Sequence, residues 1–198
     1  MNNSEKVNSS DIERLVEASQ AGSRGAFDEL VRMYQRRAMD VAVRLLGDAE
    51  KASEAVQAGF VKAYLNIGKL KESKRFEVWL LRIITNAEFN ERRAAKRRKE
   101  KIKIANAYGE VKQSLSPVEK GIAEKLKEAT QRAMLKLSKK EAKAIALFGL
   151  EDLSQSQVAE IMGCSAGAVR WYVFRARQKL KALLKSNWPE MNRITIKF

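Results

Sequence analysis

Apolar residues recur at helical spacing along the chain, and the clearest pattern lies between residues 154 and 185. Ser154 begins a predicted helix, with Gln157 three residues later as in a capping box. Gly163 interrupts the apolar periodicity and permits a tight turn, after which Ser165 can cap a second helix. The apolar stripe of this second helix is Val169, Val173, Ala176 and Leu180. The pattern predicts a helix-turn-helix followed by a long basic continuation.

The other face of the second predicted helix carries basic and aromatic side chains. They are Arg170, Trp171, Phe174, Arg175, Arg177 and Gln178. Such a helix fits the major groove of DNA, where arginine can donate two hydrogen bonds to a guanine edge and an apolar side chain can touch a thymine methyl. The alternative is a basic helical hairpin with solvated arginines. That alternative does not explain why the large apolar side chains Trp171 and Phe174 would be exposed.

Three more helices are predicted before residue 68. The first begins at Ser10, and the second runs from about Ala26 to Leu46. Gly47 is placed to end the second helix, and Asp48 can cap the third. Gly68 follows the last apolar position of the third helix, and we expect the helix to end there.

A polar basic loop and a fourth helix follow. The loop extends from Lys69 to Arg75, and the apolar stripe of the helix extends from Phe76 to Ala87. Between Arg92 and Lys103 there are eight basic residues and one acidic residue. Such a run is often only a solvated helix end, but its place after an amphipathic helix makes contact with phosphates an equal alternative.

The chain is predicted to be all-α, with two small helical domains joined by a linker. Residues 1–103 form the first domain, residues 104–116 lack clear periodicity and form the linker, and residues 117–198 form the second domain with the helix-turn-helix. Within the second domain, Ser138 with Glu141 marks one more helix start. No strand pattern of useful length and no repeat is present.

Composition narrows the function. The 198 residues include 39 basic and 24 acidic side chains, a net charge of +15, which favours a polyanionic partner. There is no histidine, and Cys164 is the single cysteine, so we expect no metal site and no cofactor. Neither a phosphate-binding glycine loop nor a catalytic constellation occurs. We therefore expect a protein of the cytoplasm that is not an enzyme.

The order of these patterns resembles that of the extracytoplasmic-function (ECF) sigma factors of bacterial RNA polymerase. The resemblance covers about residues 11–185. It depends on four stretches in a fixed order, namely residues 26–48, 53–64, 76–93 and 149–184. It implies an alternative sigma factor that binds the core polymerase and directs promoter-specific initiation.

The resemblance also implies roles for particular residues. Polymerase docking would use Asp48, Glu50, Glu54 and Gln57. The unpaired strand of the −10 element would contact Lys69, Lys71, Lys74, Arg75, Arg82 and Asn86. The duplex −35 element would contact Arg170, Trp171, Phe174, Arg175 and Arg177. Trp79 falls at a position that is core in the family, so no base-stacking role is expected for it.

Several positions depart from the family pattern. Acidic residues common in the docking segment are absent at Ser53 and Ala58, which puts the strength of that contact in doubt. Other departures are Asn90 for a usual aspartate, Ala168 for a usual threonine, and the bulky Trp171 and Tyr172. The promoter sequence therefore cannot be copied from relatives.

Two alternative functions remain open at the level of sequence. One is a helix-turn-helix regulator that binds duplex DNA without polymerase, which would explain residues 137–185 but not the amphipathic first domain. The other is a protein that docks on polymerase without directing initiation. If the chain is an ECF factor, the expected partners are RNA polymerase core enzyme, promoter DNA and an anti-sigma factor, which many members of that group have.

Overall fold

The computed structural model describes residues 9–95, 129–149 and 153–187, with the side chains of 87–95 and 186–187 left undescribed. Over these ranges the backbone forms helices and the turns between them, so the all-α prediction is confirmed there. The predicted linker at 104–116 and most of the basic run up to Lys103 lie outside the described residues.

The first three helices have the predicted order, with small shifts at their ends. They are α1 (Ser9–Gln20), α2 (Arg24–Leu46) and α3 (Ala49–Asn66). The start of α2 precedes the predicted Ala26 because the Ser23 hydroxyl accepts from the Ala26 amide and caps the helix there.

Two predicted caps between α2 and α3 are confirmed. Gly47 ends α2 in the left-handed region at φ 69° and donates to the Val43 carbonyl. The Asp48 carboxylate accepts from the Lys51 amide and begins α3.

The segment between α3 and α4 is more ordered than a polar loop. The helix α3 ends at Asn66 rather than at Gly68, and short 3-10 turns occupy Ile67–Lys69 and Ser73–Arg75. Leu70 between them is buried. The Gln20 amide donates to the carbonyls of Ile67 and Leu70 at 3.0 and 2.8 Å, which fixes the segment to the end of α1.

The fourth helix, α4 (Phe76–Ala95), packs across α2 and α3. The core of the first domain includes Val16, Phe27, Leu30, Phe60, Phe76, Leu80 and Ile84. Helices α3 and α4 approach closely at Gly59, where an added Cβ would lie 2.6 Å from Ile84 Cγ1. The missing side chain of Gly59 therefore sets the spacing of these two helices.

The second domain contains α5, described over 129–135, followed by α6 (Lys139–Phe148), α7 (Gln155–Met162) and α8 (Ala166–Asn187). The capping boxes predicted at Ser138 and Ser154 are both confirmed. Gly163 ends α7 at φ 65°, a left-handed conformation that a residue without Cβ adopts at little cost. The predicted stripe of α8, from Val169 to Leu180, is buried.

The two domains share a hydrophobic core, which the sequence did not predict. Val41 and Leu45 of α2 and Val78 and Leu81 of α4 are buried in one cluster with side chains of α5 to α8. Full burial of one such aliphatic side chain stabilises the folded arrangement by about 1.5–3 kcal/mol relative to leaving it exposed. The contact therefore stabilises one particular arrangement of the two domains.

Candidate nucleic-acid interface

The exposed face of α8 carries two large aromatic side chains. Trp171 is 51% exposed and Phe174 is 60% exposed, while Val173 between them is buried. Exposure follows from the helical period, because residues 171 and 174 lie opposite the stripe that packs on α6 and α7. The prediction that Trp171 and Phe174 lie off the core is confirmed.

Arginines flank these aromatic rings. The Arg175 guanidinium carbon lies 4.9 Å from the centroid of the Trp171 ring, which is within the range of a cation–π contact. Arg170 Nη1 donates to Gln155 Oε1 of α7 at 3.3 Å. Donors and apolar edges therefore lie side by side on one face of the helix, and direct readout of base edges uses both kinds of group.

Arg177 occupies a different environment from the other predicted −35 residues. It is half-buried, and its guanidinium carbon lies 5.2 Å from the centroid of the Phe148 ring of α6. A part of its side chain therefore packs within the domain. Its role toward DNA stays a prediction.

Four of the six predicted −10 residues line a shallow groove at the start of α4, together with the acidic Glu72 and Glu160. Its walls include Lys69, Lys71, Arg75 and Arg82, and Trp79 lies among them. The sequence had placed Trp79 only in the core. Trp79 does pack against the core of the first domain, but one part of the ring faces the basic groove. An aromatic surface beside cations is the arrangement that suits an unpaired base.

Other predicted residues of this surface already have polar partners. Lys69 Nζ donates to Asn66 Oδ1 at 2.7 Å, and Lys74 Nζ lies 3.8 Å from Glu13 Oε2 of α1. Such exposed pairs are weak and exchange readily for phosphate contacts.

Two of the predicted −10 residues contact the second domain. Arg75 Nη1 lies 3.1 Å from Glu160 Oε1 of α7, and Asn86 Oδ1 accepts from Lys143 Nζ of α6 at 2.9 Å. In this arrangement the second domain covers part of the groove. A single-stranded ligand of the groove would compete with Glu160 and Lys143.

Lys143 is a buried base at the centre of this contact. Its Nζ also donates to the Ile161 carbonyl at 3.2 Å. Burial and, to a smaller extent, the nearby Arg82 charge lower the pKa of the Lys143 ammonium to about 8. No feature of the sequence indicates this burial, because the helix that buries Lys143 is identified only by the fold.

The predicted polymerase-docking residues lie along α3 and at its start. The Asp48 side chain caps the helix and also lies 3.5 Å from Lys51 Nζ. Glu50, Glu54 and Gln57 are exposed. Further along α3, Val61 and Leu65 are 59% and 74% exposed. Residues 54, 57, 61 and 65 share one helical face, so the polar residues continue into an apolar strip.

Comparison with known proteins explains both domains together. The family Sigma-70 region 2 matches residues 30–98, and the family Sigma-70 region 4 matches residues 127–180. The RNA polymerase sigma-H factor of Pseudomonas aeruginosa is 30% identical over 180 residues, which cover 87% of this chain and 93% of the relative. The ECF RNA polymerase sigma-E factor of Escherichia coli K12 is 31% identical over 173 residues, 84% of this chain and 90% of the relative.

The chain belongs to the ECF group of sigma factors.

A solved structure of similar fold agrees with this membership. The structure of CnrH in complex with the cytosolic domain of CnrY has a TM-score of 0.65 and 25% identity, and the match covers 89% of this chain and 98% of that chain. As a sigma factor, the protein binds RNA polymerase core and directs promoter-specific transcription initiation. The region 2 match accounts for the first domain, which a stand-alone helix-turn-helix regulator would leave unexplained.

Sequence reasoning missed one feature of this sigma factor that touches the DNA-facing helix. Glu141 was interpreted only as half of a capping box. Its carboxylate also lies 3.4 Å from Arg175 Nε and 2.8 Å from Lys179 Nζ of α8. The available signal was the helical spacing of the two cations, but only the fold brings α6 beside them.

Among the helices in the described ranges, none has the length and apolar character needed to cross a membrane.

Proposed function

We propose that the sigma factor divides promoter recognition between its two domains, residues 1–103 and 117–198, joined by residues 104–116. The second domain reads the duplex −35 element through the exposed face of α8. Its readers are Arg170, Trp171, Phe174, Arg175 and Arg177. The observation that carries this assignment is the exposure of Trp171 and Phe174 beside arginine donors on a helix whose opposite face is core.

The first domain holds the unpaired strand of the −10 element in the basic groove. The residues proposed to contact this strand, in the groove and beside it, are Lys69, Lys71, Lys74, Arg75, Arg82 and Asn86. Support comes from the cationic walls of the groove and from Trp79 between them, since stacking on an aromatic ring and phosphate contacts together suit single strands. The Asn86 amide supplies an acceptor and two donors for a base edge.

Polymerase docks on the first domain through Asp48, Glu50, Glu54 and Gln57. The exposed apolar side chains Val61 and Leu65 continue this surface along α3. They offset the acidic residues missing at Ser53 and Ala58, because burial of apolar area contributes to binding independently of charge.

Promoter binding requires the two domains to separate. The −10 and −35 elements lie about 25 base pairs apart, a length of about 85 Å at 3.4 Å per base pair. Arg75 of the groove and Glu160 beside the recognition helix lie in direct contact at 3.1 Å. The contacts between the domains therefore break when both elements are bound.

The protein acts in the bacterial cytoplasm and performs no catalytic step of its own. We further propose an anti-sigma protein as a partner. Support comes from the similar protein CnrH, which was solved in complex with the cytosolic domain of CnrY. Cross-linking in the native host would identify a candidate, and the purified candidate should then inhibit transcription in a reaction with defined components.

Transcription from genomic fragments, with and without purified core polymerase, tests the proposed function. We expect weak, salt-sensitive binding to duplex DNA by the sigma factor alone and specific initiation only with core enzyme. Arg175→Ala should reduce transcription from the cognate promoter about tenfold or more, since a bidentate arginine–base contact discriminates by about 1–3 kcal/mol.

Arg14→Ala is the matched control, because Arg14 is an exposed arginine of α1 remote from α8. It should leave promoter use unchanged. Tight sequence-specific binding without polymerase, unaffected by its addition, would contradict the proposal and favour a stand-alone regulator. Equal loss of core affinity and promoter use in Arg175→Ala would make α8 a protein-docking helix.

A further inference from the structure

A buried carboxylate lies behind the DNA-facing side of α8. Glu141, in the first turn of α6, is only 3% exposed. Its Oε2 accepts from the Ser138 backbone amide at 2.9 Å, as the capping box requires. The cap uses one oxygen of the carboxylate. Glu141 also has contacts with side chains of a different helix, α8.

Two cations of α8 converge on this carboxylate. Lys179 Nζ donates to Oε2 at 2.8 Å, and Arg175 Nε lies 3.4 Å from Oε1. Arg175 and Lys179 are one helical turn apart, so both can reach the same point on α6. A single carboxylate thus determines where two basic side chains of the recognition helix leave the protein surface.

The carboxylate is ionised at neutral pH. Burial alone would raise the pKa of Glu141, but hydrogen bonds from Lys179 and Ser138 outweigh the burial, and the pKa lies below its ordinary value. The contact with Arg175 is therefore a charge pair and not a neutral hydrogen bond.

Arg175 is held on two sides. Its Nε edge faces Glu141, and its guanidinium plane lies over the Trp171 ring. These contacts use the Nε edge and the face, whereas Nη1 and Nη2 carry four of the five N–H donors. The side chain is partly exposed, so a base can approach a guanidinium whose orientation is already set. Such preorganisation reduces the entropy lost on binding.

We infer that Glu141 is a positioning residue for promoter recognition, which sets the base preference of Arg175 without touching DNA. This inference depends on the proposed −35 role of α8. A purely structural role of Glu141, as a helix cap, makes a different prediction, because a cap affects stability but not the choice of base.

Base preference measured on a promoter library tests the inference. Holoenzyme reconstituted with each variant would transcribe templates with a randomised −35 element, and the RNA products would be sequenced. Glu141→Gln keeps a carbonyl oxygen for the Ser138 amide but loses the charge. We expect it to reduce discrimination several-fold at the same base position where Arg175→Ala reduces it. The double variant should show no further loss there.

Ser138→Ala is the matched control, since it removes the capping hydroxyl from the same helix start and keeps the carboxylate. It should lower the melting temperature and leave base preference unchanged. Glu141→Asp provides a second variant if Glu141→Gln folds poorly. Its charge is preserved, but it is one methylene shorter and should also weaken discrimination at that position.

The outcomes separate this inference from the proposed function. If Arg175→Ala changes preference at one position while Glu141→Gln and Glu141→Asp change none, Glu141 is a cap and the inference is wrong. If Arg175→Ala itself leaves every preference intact, α8 does not read bases through Arg175, and both proposals fail.

Discussion

Lys143 places an ionisable amine inside the contact between two domains. Its Nζ donates to Asn86 Oδ1 and to the Ile161 carbonyl, and burial lowers its pKa to about 8. A neutral amine still has two N–H donors, so both hydrogen bonds survive deprotonation. The folded protein therefore tolerates the neutral form well and holds the charged form at a cost in free energy.

This cost predicts an unusual dependence of stability on pH. Between pH 8 and the ordinary lysine pKa of 10.5, the unfolded chain binds a proton that the folded chain has released. The free energy of unfolding of the wild type should therefore rise with pH in this window. The rise should be absent, or smaller, in Lys143→Met, which has no titrating amine at this position. Urea denaturation at several values between about pH 8 and pH 10 measures the difference.

The measurement stops at about pH 10 because Tyr34, a second buried group, affects the pH dependence above that value. Burial, followed by the Glu77 charge, raises the pKa of Tyr34 to about 12, so its phenol opposes the trend above its ordinary value of 10.0. If the free energies of unfolding of the wild type and of Lys143→Met changed with pH in parallel, the result would contradict a lowered pKa for Lys143.

The roles of single residues were predicted unevenly from sequence. The exposed positions Trp171 and Phe174 follow from helical periodicity, which is local information. Arg177 was predicted to lie off the core stripe of its helix, and no environment was predicted for Lys143. Arg177 packs over Phe148, and Lys143 is buried. Their environments depend on helices that are distant in sequence, and a one-dimensional pattern contains no such information.

At the scale of elements, the spacing of α3 and α4 depends on Gly59. Helix propensity alone would favour Gly59→Ala by about 1 kcal/mol. The added Cβ would lie 2.6 Å from Ile84 Cγ1, so we expect a net destabilisation of about 1–3 kcal/mol from overpacking. Thermal and urea denaturation measure the change. Gly68→Ala is the control, since its Cβ would meet no atom within 4 Å. A more stable Gly59→Ala variant would disprove the close approach.

The apolar strip on α3 gives a prediction for polymerase binding. The double variant Val61→Ser/Leu65→Ser should weaken affinity for core enzyme about tenfold or more, because each buried aliphatic side chain contributes about 1.5–3 kcal/mol when fully covered. Titration of labelled sigma factor with core polymerase measures this affinity. Unfolding free energy should change little, since both residues are exposed.

Leu135→Ser is the corresponding control, because Leu135 is an exposed leucine of the second domain. It should leave core affinity intact. If both variants weaken binding equally, the effect is unrelated to the surface of α3, and the docking strip is assigned incorrectly.

Helix boundaries in the described chain were largely predictable. Gly47, Asp48, Ser138 and Ser154 all cap helices as their sequence context indicated, because a cap involves only residues within one turn. The segment after α3 was less predictable. Its order comes from Gln20, whose amide reaches it across 47 and 50 positions of sequence.

At the scale of the whole molecule, a change of charge should weaken the contact between the domains. Glu160→Lys replaces an attractive partner of Arg75 with a repulsive one at a separation of about 3–4 Å. We expect a larger mean distance between the domains in the free protein. Energy transfer between dyes at Arg36→Cys and Lys181→Cys, in a Cys164→Ser background, would detect this change.

Glu29→Lys alters the net charge equally and is remote from the contact, since Glu29 pairs with Arg32 within α2. It should leave the distance unchanged. An equal distance in both variants would indicate that the shared apolar core holds the domains together without help from the Arg75–Glu160 pair.

The arrangement of the domains was not predictable from the patterns. Val41 and Leu45 lie on the apolar side predicted for α2, whereas Val78 and Leu81 were not part of the stripe predicted for α4. Periodicity cannot say which element covers such a side chain. Part of the apolar surface of the first domain is covered by the second domain. Two domains were therefore expected, but not their shared core.

The pairing of Arg75 with Glu160 also affects how the free protein distributes itself inside a cell. A chain of net charge +15 is attracted to phosphates anywhere on a chromosome, and non-specific sites vastly outnumber promoters. While Glu160 and Lys143 occupy Arg75 and Asn86, these groups are withheld from that competition. We therefore expect bulk chromosomal DNA to bind the free factor through fewer contacts, which leaves a larger fraction available for capture by core polymerase.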